Sequence, residues 1–105
     1  MMLQNEDYGR LKLLEEALGE LASLLGDQPT KPVSANLFCL EHGLTFEERS
    51  TIILTLNRMA SELPLTDMAT IRTVLVEKVP KLSDLSAPVF EGMVTVFVKN
   101  YVLVD

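Results

Sequence analysis

Ser86-Ala87-Pro88-Val89-Phe90-Glu91-Gly92-Met93-Val94-Thr95-Val96-Phe97-Val98-Lys99-Asn100-Tyr101-Val102-Leu103-Val104 decides the fold class, because it reads as either helix or strand. Val89, Val94, Val96, Val98, Val102 and Val104 are β-branched and favour a strand by propensity. Spacing favours a helix. Phe90, Val94, Phe97 and Tyr101 recur at intervals of 4, 3 and 4, which places them on one helical face. Val94 to Val98 does not alternate with polar residues as a half-buried strand does, and Ser86-Ala87-Pro88 is a fitting helix start. Read as a helix, the segment makes the chain all-α.

The segments before it fit that class. Asp67 or Thr66 can cap a helix that buries Met68, Ile71, Leu75 and Val79 and stops before Pro80. Upstream, Thr45-Phe46-Glu47-Glu48 reads as a capping box, with Thr45 and Glu48 satisfying each other's backbone amides. The helix it opens has Phe46, Ile52, Ile53, Leu56, Met59, Ala60 and Leu63 as its apolar face and ends at Pro64. A short helix over about 33–42 carries Leu37, Phe38 and Leu40 and ends at Gly43.

The first helix, about 6–25, has the clearest pattern. Leu11, Leu14, Leu18, Leu21 and Leu25 are spaced 3, 4, 3 and 4, the a/d seam of a heptad repeat. Leu13, Ala17 and Leu24 widen it, while Lys12, Glu15, Glu16 and Glu20 lie on other faces. Gly26 sits where a terminating glycine belongs, and the breaker stretch runs over 26–32. The expected architecture is one compact domain over 1–105, a bundle of about five helices. Its long amphipathic N-terminal helix is joined through the breaker stretch to a helical body over 33–104.

The 105 residues are 48% hydrophobic and 23% charged, a globular composition. Nine basic against fifteen acidic residues give a net charge of −6, which disfavours nucleic acid and anionic membrane surfaces as partners. The N-terminus lacks the basic and apolar regions of a signal peptide, and no apolar run approaches the ~20 residues of a membrane span. A single cysteine fits a reducing compartment, so the expected location is the cytoplasm.

No residue set carries catalysis. His42, the one histidine, stands at a helix end where a partly protonated imidazole suits the dipole, and only Glu41 is near it. Cys39 lies in the apolar run Leu37-Phe38-Cys39-Leu40 and reads as core. One histidine and one cysteine cannot supply a four-ligand zinc site, and the five glycines form no phosphate-binding loop. The expectation is no enzyme, no metal and no cofactor.

The long helix beginning near Arg10-Leu11, the Gly43-Leu44-Thr45 junction with Glu47-Glu48, and the run from Val79-Pro80 through Phe90 to Phe97 resemble the small YhaI-type proteins of Bacillus and relatives. That resemblance implies a compact, oligomeric, all-helical fold without an assigned biochemical activity and without catalytic residues to carry over.

The function expected is a cytoplasmic protein–protein interaction module, a small regulator or adaptor, that self-associates as a dimer or higher oligomer. Its interface is Leu11, Leu14, Leu18, Leu21 and Leu25. One alternative is a transcriptional regulator with a helix-turn-helix over 38–54, although His42 and Arg49 then occupy positions that want apolar side chains, and Glu47 and Glu48 face phosphate. A weaker alternative is an acidic protein that occupies the nucleic-acid site of another protein.

Overall fold

A computed structural model of the chain describes residues 5–62 and 67–102. The described residues form five α-helices, α1 (Asn5–Leu24), α2 (Ala35–Glu41), α3 (Phe46–Glu62), α4 (Met68–Lys78) and α5 (Ala87–Tyr101). A 3-10 helix, Pro80–Asp84, lies between the last two. The ambiguous C-terminal segment is helical over Ala87–Tyr101, and Leu103 and Val104 lie outside the described residues. Its β-branched residues are accommodated because Phe90, Met93, Val94 and Phe97 are buried together, and tertiary packing outweighs a weak local preference.

Helix boundaries follow local capping chemistry. Thr45 and Glu48 form the capping box: the Glu48 amide donates to Thr45 Oγ1 (3.1 Å) and the Thr45 amide to Glu48 Oε1 (2.8 Å). Asp67 caps α4 through the Thr70 amide, Ser86 caps α5 through the Val89 amide, and Ser34 caps α2 through the Leu37 amide. The Ser34 cap starts α2 two residues later than the apolar pattern suggests. Leu63, Pro64 and Thr66 lie outside the described residues.

The core is built by α2–α5, α2–α3, α3–α4 and α3–α5 packing, with α4 folding directly onto the 3-10 helix. Ile52 and Leu56 of α3, Ile71 and Leu75 of α4, and Phe90, Met93 and Phe97 of α5 are each almost wholly buried. Among the described residues Thr55 is the buried polar one, and its hydroxyl donates to the Thr51 carbonyl (2.7 Å). Phe46 was expected on the apolar face of α3 but stands 71% exposed outside the core, with the Arg49 guanidinium over one side of its ring (4.9 Å).

α1 stands apart from this core. The radius of gyration is 15.1 Å, against about 13 Å for a compact chain of this length, and the long axis reaches 47 Å. The breaker stretch that carries α1 is itself docked. Asp27 Oδ1 accepts the Val33 amide (2.9 Å), Gln28 and Lys31 bridge across a tight turn, and Thr30 with Pro32 rests on Gly92 of α5. Gly26 takes φ +89°, a left-handed conformation that ends α1 cheaply only without a Cβ.

Candidate functional site

The five seam residues lie on one face of α1 and its last turn, and all are open to solvent. Leu11 is 44% exposed, Leu14 59%, Leu18 46%, Leu21 57% and Leu25 74%. Leu25 is one residue beyond α1 but continues its turn, its amide donating to Leu21 (3.1 Å). Among the described side chains of α1, Ala22 alone is buried. The contiguous core runs from Ala35 to Val102 and includes no residue of α1.

A groove separates α1 from α2, while the buried Ala22 lies on the flank of the leucine face near the end of α1. The groove between α1 and α2 is lined by Glu15, Glu16, Gly19, Glu20, Ser23 and Leu24 on one side and Leu37, Leu40 and Glu41 on the other. No seam leucine lines it. The periodicity that places Glu16, Gly19, Glu20 and Ser23 towards the groove turns Leu14, Leu18 and Leu21 away from it. The structure thus brings the five predicted residues together and leaves them uncovered within the chain.

A second cluster was not legible in the sequence. The Arg49 guanidinium is sandwiched between the rings of Phe46 (4.9 Å) and Tyr101 (4.8 Å). Its Nε donates to Asn36 Oδ1 (2.6 Å), and the Asn36 amide nitrogen donates to Tyr101 Oη (3.1 Å). This network ties α2, α3 and the end of α5. Asn57 adds to it by donating to the Tyr101 carbonyl (3.1 Å). Phe46 is a local neighbour of Arg49, but Asn36 and Tyr101 are 13 and 52 residues away on either side, and no local spacing announces them.

Cys39 is buried within the core, and desolvation raises its thiol pKa despite the opposing charge of Arg49. A thiol held protonated is a poor nucleophile. His42 is the C-cap of α2; its amide donates to Phe38 and its ring lies over the Phe38 ring at 4.1 Å. Among the described residues, no three His, Cys, Asp or Glu side chains converge as a metal would need. None of the described helices is long and apolar enough to cross a membrane.

The α2–α3 pair has the sequence order of a helix-turn-helix, but α3 opens with carboxylates. Glu47 is exposed, and Glu48 is engaged by Lys81 Nζ at 3.0 Å. Lys81 also donates to the Gly43 carbonyl (3.0 Å), fastening the α2–α3 turn to the 3-10 helix. Compared with known proteins, the chain matches no family model, no curated protein and no solved structure.

Proposed function

We propose that this protein is a non-enzymatic interaction module that self-associates through the leucine face of α1. The observation that carries this reading is the exposure of Leu11, Leu14, Leu18, Leu21 and Leu25 at helical spacing, with the core closed without them. Scattered surface leucines need no explanation, but a contiguous apolar stripe on a protruding helix is the signature of a contact. Heptad spacing suits that stripe to another helix of the same kind. In this account α1 is the assembly element and the body over α2–α5 is the rigid part that it displays. The protein acts in the cytoplasm as a small regulator or adaptor, and the partner that reads the displayed body is another protein.

The experiment is Leu18→Glu, followed by light scattering and circular dichroism. Leu18 is at the middle of the stripe, so the substitution sets a charge into the contact and, near a two-fold axis, opposite its own copy. Losing a few kcal/mol of association raises the dissociation constant about a hundredfold or more. The expected product is a helical monomer. A variant that keeps the wild-type mass refutes the proposed contact.

A further inference from the structure

We propose that two copies pair through α1 in parallel, with Arg10 of each copy opposite Glu15 of the other; this rests on the self-association proposed above. With Leu11, Leu18 and Leu25 at heptad position a and Leu14 and Leu21 at d, Arg10 takes position g and Glu15 the following e. Residues five apart lie on opposite flanks of the same seam and cannot meet within one helix, where neighbours are three and four apart. Both side chains are exposed, and neither has an ion-pair partner among the described residues.

A parallel pair brings g of one helix against the next e of the other, so the two-fold axis creates two Arg10–Glu15 contacts flanking Leu11 and Leu14. The other g and e residues of α1 among the described residues, Tyr8, Ala17, the buried Ala22 and Leu24, include no Asp, Glu, Lys or Arg to oppose the arrangement. An antiparallel pair centred between Leu14 and Leu18 instead sets Glu15 against its own copy and leaves Arg10 facing Leu24. Shifting that pair by one heptad step leaves both charges unmatched. Charge complementarity therefore selects the parallel orientation, which holds both bodies at the same end of the paired helices.

Charge reversal on the full chain tests this, because exposed Arg10 and Glu15 can be exchanged without touching the core. Arg10→Glu and Glu15→Arg should each weaken the dimer about threefold to tenfold at low salt, and the double variant should restore it. Oxidative cross-linking gives an independent readout, since Cys39 is buried and an added thiol on α1 is the accessible one. Leu14→Cys should cross-link to its own copy, whereas a mixture of Leu11→Cys and Leu21→Cys chains should form no mixed product. Absence of rescue in the double variant, or mixed cross-linking of Leu11→Cys with Leu21→Cys, overturns the parallel arrangement while leaving self-association standing. A wild type that is monomeric throughout overturns both.

Discussion

The backbone carbonyl of Thr30 occupies the space that a Cβ on Gly92 would need, so the turn following α1 sits directly against the middle of α5. Gly92 is buried in a helix interior, where glycine is costly, and this contact is the reason it is there. Gly92→Ala should destabilise the fold by about 1–3 kcal/mol, because backbone cannot yield as a flexible side chain does. Gly19→Ala, which meets nothing within 4 Å, should instead stabilise by up to about 1 kcal/mol. Urea denaturation of the two variants checks both signs.

Leu75 of α4 and Leu18 of α1 should behave in opposite ways. Leu75→Ala removes a side chain with no exposed surface and should cost about 2–5 kcal/mol of folding stability. Leu18→Ala removes one that is 46% exposed, and its effect should fall on association instead. Denaturation measured at high dilution, where copies are separate, should show Leu18→Ala within about 0.5 kcal/mol of wild type.

Arg49 should resist replacement by lysine. The flat guanidinium stacks on two rings and donates from Nε to Asn36, and an ammonium can do neither in the same pose. Arg49→Lys is expected to lose about 0.5–2 kcal/mol despite its conserved charge. The chain has no tryptophan and two tyrosines, so fluorescence of Tyr101 can follow the local change.

Acid should weaken the caps of α3 and α4. The Thr45 amide, and then Lys81, hold the Glu48 carboxyl below the ordinary range, and the Thr70 hydroxyl and amide do the same for Asp67. The folded chain therefore binds these protons less tightly than the unfolded chain. Their contribution is complete above the ordinary carboxylate range, about pH 4, and is lost as pH falls through the lowered values. A Glu48→Gln, Asp67→Asn double variant should be less stable than wild type at neutral pH and should lose less of its stability on acidification. Denaturant titrations across the acid range measure that difference in slope.

Helix boundaries were legible because their causes are local. Thr45 with Glu48, Asp67 with Thr70, and Ser86 ahead of Pro88 each act within four residues, so reading them needs no tertiary knowledge. The 3-10 helix after Val79 escaped, since five residues with one buried leucine have too short a period to register. The exposure of Phe46 escaped for another reason: it stacks on Arg49, which Asn36 and Tyr101 hold from other helices. The same limit applied to α1. Its leucine period is visible at once, but whether the chain's own body covers it depends on where the turn at Thr30 docks, and Gly92 lies 62 positions away. Residues 26–32, which read as a spacer, are in fact seated on α5.

Sedimentation equilibrium of the wild-type chain, over about 1–100 μM, is the measurement closest to the central claim, because that range brackets the affinities such short seams reach. The wild-type mass should rise with concentration from the 11.7 kDa chain towards a multiple of it, and a Leu18→Glu variant should stay at 11.7 kDa while remaining helical. A wild type that sediments as an 11.7 kDa monomer across the whole range would contradict it.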